Sequence, residues 1–364
     1  MATTKKIGIL TYQRSRNYGA LLQAFSLQRH IESLGYECHI IDYWPDYHEN
    51  LYKFFSYELF CELCLRKKMG YLYFLFLHGL SKIRRNACTK KFINEYLNLT
   101  NSLHFDIAIY GSDQIWRMQH ASGYSFYNPV YFGNEYVSAH RKISYAASMG
   151  SIDANETDKR LLRQYLSNFN GISVRETELK VFLNKELNVD AQLVCDPVFL
   201  HSQDEWSKIV CNNYIPSYKY ILYYRLQNVK ILDTFVKELS RQTNLPVIEL
   251  GSSMYSILKN KCKYAAGPIE FISLLSGADY VVTSSFHGLA FSIIFHKQFY
   301  VCLKDRISRV TSLLEKLNLV NRTISQDNMD PVREAIDYNK VDSIKDLWIA
   351  QSKEWLHNQL GNVS

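Results

Sequence analysis

Tyr280-Val281-Val282-Thr283-Ser284-Ser285-Phe286-His287-Gly288-Leu289-Ala290-Phe291 is the run from which the fold of this chain is read. Its first four residues are β-branched or aromatic, as in a buried strand. Ser284 to Gly288 reads as a turn, Leu289 to Lys297 as an apolar helix, and Phe299-Tyr300-Val301-Cys302-Leu303 as a second buried strand. Strand, turn, helix, strand is the repeating unit of a parallel α/β sheet. Ligands on such sheets sit beyond the carboxyl ends of the strands, where His287 stands. A helix that starts just after His287 would aim unpaired N–H groups and a partial positive charge into the same space. An anion is favoured there, and a neutral His287 is suited to act as a base. The structural alternative is that His287 caps the helix or packs.

Moving back toward the N-terminus, Tyr220 to Tyr224 and Pro246 to Glu249 read as further strands, and Gly267-Pro268-Ile269-Glu270 as a helix start with proline early and glutamate in the first turn. Gln192 to Cys195 is a strand that ends at Asp196-Pro197, after which the α/β pattern restarts. The chain therefore divides into a domain over residues 1–180, a second over 190–330 and a polar helical segment over 331–364 that packs back across both. Two successive α/β domains imply a cleft between them.

In the first half, Ile7 to Thr11 is a strand, Asn17 caps a helix with apolar residues at Ala20, Ala24, Leu27, Ile31 and Leu34, Gly35 closes it, and Cys38 to Ile41 is the next strand. This opening βαβ is Rossmann-like but has no GxGxxG, so NAD and FAD are disfavoured. The loop still places Arg14, Arg16 and Asn17 at a helix N-terminus, either to hold substrate or merely to connect strand and helix. Phe105 to Tyr110 ends in Gly111-Ser112-Asp113-Gln114-Ile115-Trp116, which offers a carboxylate and an aromatic platform. Lys142 to Ala147 is another strand. Ile172-Ser173-Val174 leads into Arg175-Glu176, where Arg175 is either an anion clamp or one half of a salt bridge with Glu176 or Glu178.

Leu51 to Tyr96 interrupts this rhythm. It is rich in Phe, Tyr and Leu and carries basic clusters at Arg66-Lys67-Lys68, Lys82-Arg84-Arg85 and Lys90-Lys91. Such a segment suits a helix on an anionic membrane or around a lipid-linked substrate, or else an inserted helical pair with a solvated basic face. Across the 364 residues, 47% hydrophobic and 21% charged is the mix of a soluble globular protein. The 27 tyrosines suit sugar rings and interfaces as well as cores. A net charge of +7 fits anionic substrates or an anionic surface, and no arginine-rich stripe argues for nucleic acid. The eight cysteines have no framework spacing, and the Cys61–Cys64 pair lacks a second pair or nearby histidines. Reduced thiols in a cytoplasmic protein, with no zinc or redox site, are expected. The apolar run after the N-terminal lysines is too short for a signal peptide. Met69 to Leu80 is shorter than the roughly 20 residues a bilayer requires, so membrane contact, if made, is peripheral.

Taken together and in order, Asn17-Tyr18-Gly19-Ala20, Ile41-Asp42-Tyr43, Gly111 to Trp116, Ile143-Ser144-Tyr145-Ala146-Ala147-Ser148, Ser173-Val174-Arg175-Glu176, Asp196-Pro197 and Ser284-Ser285-Phe286-His287-Gly288 resemble the polysaccharide pyruvyl transferase family, from about Lys6 to Arg322. The resemblance implies an α/β fold of two Rossmann-like domains facing a cleft, as in B-type glycosyltransferases. It implies phosphoenolpyruvate as donor substrate and a sugar of a bacterial capsule or exopolysaccharide, often lipid-linked, as acceptor; no metal constellation is visible in the sequence, and neither a metal nor a cofactor is expected for this chemistry. On that footing His287 is the catalytic residue and Arg175, Lys304, Arg306, Ser284 and Ser285 form the donor side. Lys304 and Arg306 share one family position because the register is loose there. Asn17, Tyr18, Arg16, Asp113, Trp116 and Asp196 are expected to bind or orient the acceptor. Gln298 stands where many relatives have proline, and Leu51 to Tyr96 falls in a variable region, so the identity of the acceptor does not carry over. Two rivals stand beside this reading: a nucleotide-sugar-dependent glycosyltransferase of the same architecture, and a non-catalytic saccharide-binding member of the family.

Overall fold

The computed structural model describes residues 4–48, 60–61, 63–121, 124–226, 229–251, 266–302, 308–326, 328–331 and 333–361. The first half runs β1 (Lys6–Leu10), α1 (Tyr18–Ser33), β2 (Glu37–Ile41), α2 (Leu65–Tyr96), β3 (Leu99–Thr100), β4 (His104–Tyr110), a small hairpin of β5 (Gln119–Ala121) and β6 (Tyr124–Phe126), β7 (Ser138–Ala147), α3 (Glu156–Leu166), β8 (Gly171–Val174), α4 (Thr177–Glu186) and β9 (Gln192–Leu193). Seven of these strands form one sheet in the order β3-β2-β1-β4-β7-β8-β9, with every pairing parallel.

The second half runs α5 (Gln203–Ser207), β10 (Ile221–Arg225), α6 (Lys230–Thr243), β11 (Val247–Gly251), α7 (Pro268–Ser276), β12 (Tyr280–Thr283), α8 (Phe286–Ile294), β13 (Gln298–Cys302), α9 (Ser308–Lys316), β14 (Thr323–Ile324) and α10 (Tyr338–Gly361). Its sheet has five parallel strands in the order β11-β10-β12-β13-β14. Parallel sheets bury both faces, which is why Ile7-Gly8-Ile9-Leu10 and Val281-Val282-Thr283 are unbroken buried runs.

Helix α1 explains how the halves join. A helix on a domain surface shows a polar face, but α1 is buried from Tyr18 through Leu27 without a break. Tyr18, Leu21 and Leu22 share one apolar core with Tyr224, Phe271 and Phe291 of the second half. Asn17 begins the helix by accepting a hydrogen bond from the Gly19 amide at 3.1 Å. Gly35 follows it with φ of +88°, a left-handed position that glycine adopts without cost. Helix α10 then straps both sheets. The Tyr338 hydroxyl donates to the Lys297 carbonyl at 2.5 Å, the Ser352 hydroxyl accepts from the Cys195 amide at 2.9 Å, and Gln359 accepts from Arg141 at 2.5 Å.

Two boundaries differ from the sequence reading. The first sheet extends to β9 at Leu193, beyond residue 180, because β9 pairs with β8 rather than opening the second sheet. Over residues 65–96 the inserted segment is a single helix of 32 residues, and most of the segment before it, where the other member of an inserted pair would fall, lies outside the described residues. Helix α8 starts at Phe286, three residues earlier than the apolar run suggests, since the Ser285 hydroxyl accepts from the Gly288 amide at 3.3 Å and caps it. His287 therefore lies inside the first turn rather than before it.

Candidate active site

Both sheets turn their carboxyl ends toward one place. From the first sheet come Gly111-Ser112-Asp113 after β4, Arg175-Glu176 after β8 and Asp196 after β9. From the second come the β12–α8 turn with His287, and Arg309 on α9. Gly111 has φ of +132°, and a Cβ there would stand 2.2 Å from the Tyr145 carbonyl oxygen. Only glycine lets β4 turn so closely against β7.

The centre of the cluster is Arg175. Its Nη1 donates to Asp196 Oδ2 at 2.5 Å and to Ser112 Oγ at 3.3 Å, its Nη2 to Asp113 Oδ1 at 3.4 Å, and its Nε to Glu176 Oε1 at 3.4 Å. The Arg175 side chain is 1% exposed, so these partners replace water. A buried guanidinium is tolerated only with such pairing. Burial alone would lower the Arg175 pKa, but Asp196, Glu176 and Asp113 outweigh it and raise it. Burial likewise opposes ionisation of Asp113, yet Arg175, His287 and Arg309 hold its carboxyl below the usual range. Glu176 goes the other way. Burial raises its pKa despite Arg175 and a 2.5 Å hydrogen bond from Ser148, and its Oε2 has no partner.

His287 faces this cage from the second domain. It is 2% exposed, its Nε2 lies 3.8 Å from Asp196 Oδ2, and that nitrogen has no hydrogen-bond partner. Burial pushes its pKa down to about 4, although Asp196 and Asp113 pull it upward. A neutral imidazole with an unpartnered nitrogen is a proton acceptor at pH 7. Its other flank is covered by Gly19, where a Cβ would fall 2.0 Å from His287 Nδ1. The first turn of α1 thus fixes the ring, and only a glycine permits that approach.

The remaining expected residues separate into groups. Asp113 and Asp196 stand in the cluster beside Arg175 and His287. Asn17 is at its edge, with its side-chain oxygen used to cap α1. Tyr18 is buried, stacked on Phe271 at 5.3 Å, and donates to the Ala266 carbonyl at 3.0 Å. The Arg16 carbonyl accepts from Arg85 at 2.9 Å. Ser284 Oγ accepts from the Leu226 amide at 3.3 Å, and Ser285 caps α8. Trp116 is a correction: the expected platform is 0% exposed, stacks on Phe132 at 5.4 Å and donates to the Tyr131 carbonyl, so it belongs to the core. The clamp expected at Arg175 is already occupied by carboxylates. Lys304 and Arg306 lie outside the described residues.

Two residues were not anticipated. Ser112 joins the halves of the cage, its hydroxyl donating to Asp196 at 3.1 Å and its amide to Gln23 at 3.3 Å. Arg309 lies near Asp113 Oδ1 at 3.8 Å, with its guanidinium carbon 5.8 Å from the centre of the Phe286 ring and its Nε unpartnered. Burial, and then Arg175, lower its pKa. The run from Lys304 to Arg309 does hold a third cation, but its sequence singles out none of the three. Among the described residues, no group of three or more His, Cys, Asp or Glu is arranged around a metal position.

A family model described as polysaccharide pyruvyl transferase matches residues 17–304. No curated protein sequence matches the chain. Among solved structures, a UDP-GlcNAc 2-epimerase from Methanocaldococcus jannaschii is similar at 13% identity and a TM-score of 0.50, covering 98% of this chain and 99% of that one. A glycosyltransferase from Rickettsia africae ESF-5 is similar at 13% identity and a TM-score of 0.44, covering 100% and 95%. The glycosyltransferase SnogD from Streptomyces nogalater is similar at 10% identity and a TM-score of 0.42, covering 97% and 95%. At such identities the epimerase likeness shows a two-domain Rossmann-like fold and nothing of the chemistry.

Proposed function

The chain belongs to the polysaccharide pyruvyl transferase family, and from that premise we propose that it moves the enolpyruvyl-derived group of phosphoenolpyruvate onto a sugar of a bacterial surface polysaccharide or its lipid-linked precursor, forming a pyruvate ketal and releasing phosphate. The observation that carries this reading is His287: buried, held neutral, with an unpartnered Nε2 at the carboxyl ends of two parallel sheets.

The reaction joins two sugar hydroxyls to one carbon of the donor. His287 takes the proton of the first hydroxyl and passes it to the methylene carbon, which becomes the methyl group. The hydroxyl oxygen bonds to the oxocarbenium-like carbon beside it. The second hydroxyl displaces phosphate from that carbon, and its proton leaves with the phosphate. A histidine whose pKa is depressed to about 4 suits the relay, because once charged it is a strong acid toward carbon.

The donor carries a phosphate and a carboxylate. Arg309 is the cation of the cluster with room for one of them, since its side chain is 17% exposed against 1% for Arg175. Lys304 and Arg306, just before α9, would complete the clamp. Arg175 holds Asp113 and Asp196 in place, and Asp196 orients His287 and the acceptor. The acceptor enters from the α1 side, past Asn17 and Arg16.

The test is phosphate release from phosphoenolpyruvate over a panel of galactose, mannose and N-acetylhexosamine acceptors, with product masses read in parallel and donor affinity measured by calorimetry. Acceptor-dependent phosphate with a pyruvyl-minus-water mass gain is the expected result. Binding of a nucleotide sugar without binding of phosphoenolpyruvate would overturn the reading.

A further inference from the structure

Helix α2 holds eight lysines and arginines and one glutamate, so it alone carries the +7 excess of the chain, and the remaining residues balance. Its two faces differ. Arg85, Thr89, Phe92 and Ile93 are buried, and they seat the C-terminal part of the helix on the body. The Arg85 guanidinium lies 4.9 Å from the centre of the Tyr18 ring and donates to the Arg16 carbonyl. On the other side, Leu65, Met69, Leu72, Phe76 and Ile83 are between 44% and 84% exposed. At about 100° per residue these five fall on one stripe, pointing away from the seated face. Tyr73 widens the stripe, and Arg84, Lys90 and Lys91 are exposed around it.

We propose that this stripe seats the protein on an anionic lipid surface. An exposed apolar stripe of this size is uncommon on a soluble protein unless something covers it. A second copy of the chain would bring two strongly basic helices together, whereas anionic headgroups complement the charge. No described helix is long and apolar enough to cross a membrane, so α2 lies in the interface with its apolar side chains among the acyl ends. The inner face of the same helix holds the Arg16–Gly19 loop, and Gly19 covers His287. The lipid-facing surface and the candidate site are therefore two sides of one short connection. That a lipid-carried saccharide reaches the site by this route rests on the reaction proposed above; the docking itself does not.

Flotation of the full chain with mixed phosphatidylcholine–phosphatidylglycerol vesicles and with pure phosphatidylcholine vesicles tests the proposal. The expected result is partitioning at least about tenfold stronger onto the anionic vesicles, weakened by salt. The double variant Leu72→Ser, Phe76→Ser should lose that partitioning while keeping its melting temperature and its turnover of a water-soluble acceptor. Equal or absent partitioning onto both vesicle types would overturn the proposal. So would undiminished partitioning of the variant, or a dimer in sedimentation that the variant dissolves without any vesicle binding by the parent chain. A phosphoenolpyruvate assay that fails while flotation succeeds would sink the reaction and leave the docking standing.

Discussion

Arg175 and Arg309 rest on the same ring, Phe286, with guanidinium carbons 4.9 and 5.8 Å from its centre, yet the two sides of the cleft build them in differently. On the first sheet, Arg175 is enclosed by three carboxylates and a hydroxyl drawn from three strand ends. On the second, Arg309 has one loose ion pair and an unpartnered Nε, and its neighbour His287 has an unpartnered Nε2. Burying a polar atom without a partner costs stability, so such atoms persist where a ligand supplies what is missing. On the first side the guanidinium is already fully paired, and the cluster around it serves as a frame. The second awaits a substrate.

The largest effect that follows is on activity. His287→Ala removes the proton relay, and turnover should fall by about 10²–10⁴-fold with little change in melting temperature. Near-normal turnover would place the chemistry elsewhere. Arg175→Met should act in the opposite manner. Removing one partner from a buried ion network costs about 3–5 kcal/mol, and here it would leave Asp113, Glu176 and Asp196 facing one another. Urea denaturation should show the loss directly. A stable Arg175→Met protein that no longer binds phosphoenolpyruvate would reverse the comparison, making Arg175 the clamp and its carboxylates mere placeholders.

The comparison also explains what the sequence makes legible. The strands of both sheets stand out because parallel strands are buried on both faces and read as short β-branched runs bounded by turns. His287 stands out because its turn falls between two such runs, and Asn17 because a cap precedes a helical period. The cage is different. Asp113, Arg175 and Asp196 each look like isolated strand-end residues, and the network joins positions 62 and 21 apart in the chain. Nothing local distinguishes a clamp from a frame. Arg309 is hidden for a related reason: it opens a helix whose Val310, Leu313 and Leu314 are core, and it looks like the surface edge of that pattern. Trp116 misled because an aromatic residue after a strand-end glycine reads equally as platform or core. The choice is made by Phe132, which is contributed by a later turn.

Arg309→Gln is the sharper probe of the second side. It removes a charge that no strong partner holds, so stability should change by less than about 1 kcal/mol. If Arg309 meets the donor, losing a charge-assisted hydrogen bond worth about 1.5–3 kcal/mol raises the KM for phosphoenolpyruvate roughly tenfold to a hundredfold. An unchanged KM together with a lowered melting temperature would move Arg309 to the frame and leave the clamp to Lys304 and Arg306.

The smallest effect is a slope. His287, His30 and His48 are each pushed down to about 4, burial being the largest cause in all three. Around His287, Asp196 and Asp113 favour the charged ring while Arg175 and Arg309 oppose it, so burial decides. The unfolded chain takes up protons near pH 6.5 and the folded one only near 4. Stability is therefore fully present above about pH 6.5 and is lost as pH falls toward 4, by on the order of 3 kcal/mol for each histidine. His287→Gln should remove about one proton from the slope of unfolding free energy against pH over that window, measured by urea denaturation. An unchanged slope would mean that His287 is charged when folded. In that case Asp196, at 3.8 Å, would be its ion-pair partner and the second side of the cleft would be a frame like the first.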